Sequence, residues 1–551
     1  MGPKLKIVES YWLIVIAFLL FVGPLALDFH FYYPDEVHYT EAAIQMTQTN
    51  NYLTPLQGSG EMRFNKPIIT YWFVVLGYKL FGINAFASRF FFLIAGALIL
   101  LLVYQIGKLI YPNSKTAYMG TAIAATQITL IMSSMRSIPD ILLCLFITLS
   151  ALGFSGFIKY GNNAPVKYNW MIFVGLALAF EVKGIQAVVL GTMALVYLMV
   201  NQWQRVNWKK LFHIPSLITG LIIAFSWFIV MFIQHDQEFI QSFYHDQVGT
   251  RISMNIWIIM KNLALALIFI SVLFIPWITF LSKNSFHLKS ENKEINSFTG
   301  FVISSIVTTL VLSAFVFKFY ERYLLPIIPI SAVWLGHLIA ENVINKKSLI
   351  KFWGILLFSI HAVLLSFAFL TARALGSEIL FYILLVAAVA FTLFVFIRIL
   401  KTQTVNWLIL LILLTAFNIS LITYNISFPN EGEQIAMELT KIEKKELPSI
   451  GVQGYPKIAS KLRVATAGKY QIINITGENI LEDSTKYDVL VVGESDLNSF
   501  PAEKYEIKNG SVSWNSKNGS KLLQSIVAGS YKENLKLLGK KYYLLQRKSI
   551  P

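Results

Sequence analysis

A single cysteine, Cys144, occurs in 551 residues, so no disulfide can staple the chain to itself. Charge is scarce as well. Asp, Glu, Lys and Arg together make up 14% of the sequence, against about 25% in an average soluble domain. The shortage falls on the acids, 30 against 46 basic residues, and leaves a net charge of +16. With so few charges a soluble protein of this size could not cover its surface. The basic residues are split among short loops rather than gathered into one stripe, which argues against nucleic acid as a partner. No internal repeat is visible, so the repeated halves common in transporters are missing. What the sequence has in excess is apolar residue, 56% of the total, with a mean hydropathy of +0.60.

The excess is concentrated in runs of about 17–25 residues, the length that crosses a bilayer core. Thirteen spans are expected, at roughly 11–27, 86–108, 116–134, 141–157, 170–182, 185–201, 215–233, 257–280, 298–317, 323–341, 350–371, 378–397 and 407–424. Loop charge sets their orientation, because Lys and Arg are retained in the cytoplasm. Lys4 and Lys6 precede the first span. Placing them inside also places inside Lys108 and Lys115, Lys159 and Lys167, Lys209 and Lys210, Lys289 and Lys293, Lys346 and Lys347, and Arg398 and Lys401. Every inside loop is then basic. The start of the chain is read as an uncleaved first span rather than a signal peptide, since its apolar run continues to Leu27.

Two regions stand apart from the spans. The first outer loop, 28–85, is long, and its segment PIITYWFVVLGYKLFG (67–82) is apolar but too short to span, as an interfacial helix would be. After residue 424 the sequence turns polar, with alternating strand-like segments at 449–455, 470–475 and 487–493. Residues 1–424 therefore read as an all-α polytopic membrane domain and 425–551 as a small soluble α/β domain. An odd number of spans puts that domain outside.

The outer loops carry polar residues that bilayer rules leave unexplained. They are Asp35, Glu36, Arg63 and Lys66 in the first loop, Arg136 and Asp140 in the second and Lys183 in the third. The fourth holds Arg251, and the fifth Lys318, Glu321, Arg322 and Tyr323. Each has a plain structural reading. Asp35 and Glu36 can cap a helix, Lys66 and Lys183 can snorkel, Asp140 can cap the fourth span, and Tyr323 can belong to an aromatic belt. Together on one membrane side, with cations placed against the positive-inside rule, they form a candidate anion site.

The segments YYPDEVHYTEAAIQM, RFNKPIITYW, MRSIPDILLCLF, FEVKGIQAVVLG and RYLLPIIPISAVWLG occur in this order over roughly residues 30–340. This series resembles the polyprenyl-phosphate-dependent membrane glycosyltransferases, the group of lipid A aminoarabinose transferases and protein O-mannosyltransferases. The resemblance implies a C-type membrane glycosyltransferase fold of about 13 transmembrane helices, in keeping with runs long enough to span. It also implies a bacterial inner-membrane location, a polyprenyl-phosphate sugar donor such as an undecaprenyl one, and a lipid (lipid A-like), glycan or protein acceptor reached from the periplasm. Surrounding membrane lipids complete the set of partners.

By the same resemblance Asp35, with Glu36 beside it, and Asp140 are the catalytic acids. Lys66, Lys183, Arg251, Lys318, Arg322 and Tyr323 are donor-phosphate residues. Asn65 stands where aminoarabinose transferases often carry Glu. These residue types suit the chemistry. Substitution at an anomeric carbon passes through an oxocarbenium-like state that a carboxylate stabilises, and a departing phosphate needs cations and hydrogen-bond donors. Asp35 is the expected general base for a hydroxyl acceptor. A divalent metal shared by Asp35 and Asp140 is left open, as is the alternative of a transporter or flippase for lipid-linked sugars.

Overall fold

The computed structural model describes residues 11–28, 35–58, 60–204, 207–246, 252–281, 290–342, 347–376, 379–402, 407–428, 430–442, 449–475, 487–500, 503–514 and 518–548. Apolar runs this long have no solvent in which to leave backbone groups unpaired, so they form helices. In chain order these are α1 (Tyr11–Asp28), α2 (Asp35–Thr49), α3 (Ile69–Phe81), α4 (Ala85–Ile110), α5 (Ser114–Ala125), α6 (Ile128–Ser134), α7 (Pro139–Tyr160), α8 (Lys167–Lys183) and α9 (Ile185–Val200). There follow α10 (Trp208–Leu211), α11 (Ile214–Tyr244), α12 (Ile256–Leu273), α13 (Lys293–Ala314), α14 (Ile328–Asn342), α15 (Lys347–Leu375), α16 (Ile379–Thr402) and α17 (Trp407–Ser427). Among the described residues, 8 helices are long and apolar enough to cross a membrane.

The helices depart from the expected spans where the chain breaks them. The 116–134 run is two helices, parted at Thr126, whose hydroxyl donates back to the Ile123 carbonyl at 2.9 Å and accepts the Trp277 indole N–H at 2.8 Å. The 257–280 run stops being α-helical at Leu273, ahead of Pro276, and 277–280 is a 3₁₀ turn. At 170–182 the helix starts earlier, at Lys167, and Gly184 (φ 61°) separates it from α9. That positive φ is one a side-chain-bearing residue rarely adopts.

α7 is the central helix: 94% of its apolar window is buried, against 11% for α12. It packs on α8 and α4. α5 crosses α14 at two glycines, where a Cβ on Gly336 would lie 2.5 Å from the Gly120 nitrogen. Close backbone approach at small residues is how membrane helices gain packing energy without a hydrophobic drive.

Beyond α17 come α18 (Glu431–Leu439), β1 (Ser449–Gln453), α19 (Pro456–Ala465), β2 (Gln471–Ile475), β3 (Val489–Gly493), β4 (Tyr505–Ser513), α20 (Gly519–Ala528), α21 (Tyr531–Leu538) and β5 (Lys540–Arg547). They build a five-stranded sheet of order β2-β1-β3-β5-β4. β2, β1 and β3 are parallel, and β5 and β4 are antiparallel. α18 and α19 cover one face through Ile435, Leu439, Ile458 and Leu462.

The sheet domain is tied to the helical domain twice. Glu41 of α2 accepts a hydrogen bond from the Ser460 hydroxyl at 2.6 Å and pairs with Arg463, and the Gln48 amide donates to the Gly468 carbonyl at 2.9 Å. On the other side the Tyr531 hydroxyl donates to the Ser427 carbonyl at the end of α17.

Candidate functional site

The start of α2, the start of α7, the end of α8 and the 3₁₀ helix Glu321–Ile327 meet at one end of the bundle. Pro139 opens α7 without losing a needed donor, which sets Asp140 in its first turn. Gly184 ends α8 one residue after Lys183. The Lys183 amine lies 2.8 Å from Asp140 Oδ1. Arg322 lies between the two acids, with Nη2 2.7 Å from Asp35 Oδ2 and Nε 3.8 Å from Asp140 Oδ1. Lys183 sits over the Tyr323 ring at 5.5 Å, and Arg322 and Lys318 flank the Tyr320 ring at 4.9 and 5.2 Å.

The two acids differ in access. The Asp35 side chain is 36% exposed and that of Asp140 4%. Asp35 can meet a substrate, whereas Asp140 is held in the protein by two cations. Next to this cluster opens a largely apolar cavity of about 630 Å³, lined by Ile185, Leu190, Met254, Phe317, Lys318 and Tyr323 among others.

The structure thus brings together Asp35, Asp140, Lys183, Arg322 and Tyr323, with Lys318 at the rim of the cavity. Glu36 is a correction. It turns into the bundle at 0% exposure, where Arg89 grips both its oxygens at 2.6 and 2.9 Å and Ser137 donates its backbone N–H and hydroxyl to Oε1. Buried and fully engaged, it locks α2 to α4 and to the turn before α7, and it does not reach the site. Lys66 stands in a separate pair, 3.4 Å from Asp246 Oδ2, with Asn65 donating to the other oxygen of Asp246 at 3.4 Å. Arg251 lies outside the described residues.

Two groups that bear on α2 were not among the expected site residues. Arg89 is recognisable only as a buried cation in an apolar helix, the kind that demands a partner. His38 follows Asp35 by one helical turn and so shares its face. Its pKa is pulled down to about 4, by burial first and then by the Arg63 guanidinium, with Asp35 pushing the other way. His38 is therefore neutral at physiological pH.

A resident metal does not fit this arrangement. Asp35 and Asp140 flank a guanidinium rather than sharing a cation position, and among the described residues no third carboxylate, His or Cys joins them.

Comparison with known proteins bears on the fold. Residues 65–230 match the family model described as dolichyl-phosphate-mannose-protein mannosyltransferase. A protein of Aquifex aeolicus is 26% identical over 61% of this chain and 66% of its own length. The undecaprenyl phosphate-alpha-4-amino-4-deoxy-L-arabinose arabinosyl transferase of Serratia proteamaculans is 23% identical over 44% of this chain. That match spans 43% of the Serratia protein, so the chain corresponds to less than half the length of this relative. In three dimensions ArnT from Cupriavidus metallidurans in the apo state superposes with a TM-score of 0.68 at 14% identity, over 97% of both chains. The same protein bound to undecaprenyl phosphate gives 0.67 at 15% identity, again over 97% of both. The fold is that of a C-type membrane glycosyltransferase. Over residues 65–230 the chain is similar to the polyprenyl-phosphate-dependent membrane glycosyltransferases.

Proposed function

We propose that this chain moves a sugar from a polyprenyl phosphate to an acceptor at the periplasmic face of the inner membrane. The observation that carries the proposal is the Arg322 bridge between Asp35 and Asp140, set beside Lys183, Tyr323 and a 630 Å³ apolar cavity rimmed by Lys318. An amphipathic donor needs these two environments side by side, a cationic place for phosphate and an oily one for the isoprenoid. The name of the Serratia relative and the undecaprenyl phosphate bound in the Cupriavidus structure support the same class of donor.

The chemistry assigns each group a role. Lys183, Arg322, Lys318 and the Tyr323 hydroxyl face the donor phosphate and stabilise the charge that grows as the anomeric C–O bond breaks. Asp35, the accessible acid, lies near the anomeric carbon, where a carboxylate stabilises positive charge. An acceptor hydroxyl forms the new bond to that carbon and gives its proton to Asp35. The products are the glycosylated acceptor and polyprenyl phosphate. Asp140 does not touch substrate: it holds Lys183 and Arg322 in place. The sugar, pentose or hexose, and the acceptor, lipid, glycan or protein, are chosen by surfaces beyond these residues.

The test is turnover. Purified protein is given undecaprenyl-phosphate-linked aminoarabinose or hexose together with lipid A or envelope glycan, and release of undecaprenyl phosphate is measured. Sugar-dependent release that falls at least about a hundredfold in Asp140→Asn is expected, the size typical of lost charge stabilisation at a reacting centre. Movement of intact lipid-linked sugar between leaflets, with no release, would favour the flippase reading instead.

A further inference from the structure

The helices that present Asp140 and Lys183 at one end build a second polar cavity at the other. α7 runs from Asp140 to Lys159, and α8 returns from Lys167 to Lys183. A helix of this length covers about 30 Å at 1.5 Å per residue, one bilayer core. The far ends of α7 and α8, the start of α1 and the end of α4 enclose a cavity of about 700 Å³. Lys108, Lys159 and Lys167 line it together with Tyr11, Tyr104 and Tyr160.

This cavity is more than a set of lysines kept inside by the insertion rule. Loop lysines held only by that rule are spread over a surface, whereas these three, from three helices, face one concavity. Among the described residues only Lys159 has an acid beside it, Glu294 at 2.7 Å. Among the described residues no carboxylate lies within ion-pair distance of Lys108 or Lys167, both of which are exposed. The cavity therefore carries net positive charge. Its wall is aromatic: Tyr11 stacks on Tyr104 at 4.1 Å, and Tyr160 lies 5.9 Å from Tyr168. Rings with a hydroxyl at one end suit the level where headgroups meet acyl chains.

We infer that this cavity binds the headgroup of an anionic phospholipid of the cytoplasmic leaflet, its phosphodiester set against Lys108 and Lys167. Basic pockets between transmembrane helices on the cytoplasmic side favour such lipids. The acyl chains follow the apolar flank of α1, where Trp12, Leu13 and Ile16 are exposed. A bilayer lipid fits better than free phosphate because these chains add apolar contact that inorganic phosphate lacks.

The test uses the purified full chain in a neutral detergent, titrated with dioleoyl phosphatidylglycerol, dioleoyl phosphatidylcholine or inorganic phosphate. Bound lipid is counted by native mass spectrometry and stability is read by thermal shift. Phosphatidylglycerol is expected to bind at one saturable site at least about tenfold more tightly than phosphatidylcholine, one charge-assisted contact's worth. The K108Q/K167Q variant is expected to lose that preference, and K209Q/K210Q, which removes the same charge from a neighbouring inside loop, to keep it. All four lysines are solvent-facing, so neither variant threatens folding. Equal loss in both variants would mean a diffuse basic face and would overturn the inference. So would an equal shift from inorganic phosphate, or an undiminished preference in K108Q/K167Q.

Discussion

Asp35 and Asp140 look alike in the sequence, each an acid next to a proline, and the structure separates them by access: one is 36% exposed and the other 4%. Asp35→Asn should therefore leave donor binding nearly intact and lower transfer by about 10²–10⁴-fold, the worth of a general base. Asn caps a helix about as well as Asp, so a purely structural Asp35 would tolerate the change. Full transfer by the purified Asn variant would return Asp35 to that role. Lys66 invites a test of opposite signs. Its 3.4 Å contact to Asp246 is long for an ion pair and leaves room for a phosphate to take the amine over. Lys66→Ala should weaken undecaprenyl phosphate binding about ten- to a hundredfold, a charge-assisted contact, while Asp246→Asn should strengthen it. Calorimetry in detergent reads both, and unchanged affinity in Lys66→Ala would confine Lys66 to the pair. Lys183 and Arg322, which the structure gathers around Asp140, stood out in the sequence as charges at the ends of apolar runs. The Glu36–Arg89 lock was not, because its partners lie 53 residues apart and nothing local connects them.

Helices were legible as apolar runs, since length and hydropathy suffice to declare a span. Their breaks were not. Thr126 is an ordinary helix residue until the Trp277 indole, from a distant segment, takes its hydroxyl as acceptor. In the sheet domain, β1, β2 and β3 were legible from the sequence, whereas β4, a polar edge strand, and β5, an inner strand whose run YYLL does not alternate, were missed. α18 owes its position to a charge. Glu431 is buried, pairs with Lys461 at 2.6 Å and accepts the Ser513 hydroxyl at 2.6 Å. Burial works against its ionised form, but the Lys461 charge and the hydrogen bonds from Lys461, Ser513 and the backbone outweigh it and set the pKa at about 2. In the unfolded chain the carboxyl titrates near 4.5. A folded value below the unfolded one means that the stabilisation is complete above pH 4.5 and is lost as pH falls towards 2. Hydrogen exchange over 431–439 should therefore quicken between pH 5 and pH 3 beyond the intrinsic rate, and Glu431→Gln should flatten that dependence. In Lys461→Met the carboxylate stays buried without its cation, at a cost of about 3–5 kcal/mol.

At the scale of the whole molecule, the α7–α8 pair carries Asp140 and Lys183 at one end and Lys159 and Lys167 at the other, and the sheet domain holds α2. If thirteen crossings begin inside, a reporter fused after residue 430 is active only outside the cytoplasm. Activity inside would remove Asp140 from the side proposed for transfer. The soluble domain then stands over the outer face and holds α2 by Glu41, six residues beyond Asp35 and about 9 Å along the helix axis. Glu41 is 6% exposed and bound by both Arg463 and Ser460. A clamp so close fixes the helix on which the proposed base is carried, and a misplacement of about 1 Å at a reacting group can cost a hundredfold in rate. Arg463→Ala alone would confuse two effects, because it leaves Glu41 buried without its cation and destabilises the domain by several kcal/mol. The double variant Glu41→Gln with Arg463→Met removes the pair and leaves no buried charge. It should fold and bind undecaprenyl phosphate as before, through Lys183, Arg322 and Lys318, which it does not touch. Its kcat should fall about ten- to a hundredfold with KM for the donor unchanged, and Arg463→Lys, which keeps the charge, should recover part of the rate. A double variant with full kcat would mean that the soluble domain rests on α2 without positioning Asp35. A rise in donor KM instead would place the clamp on the binding side of the reaction.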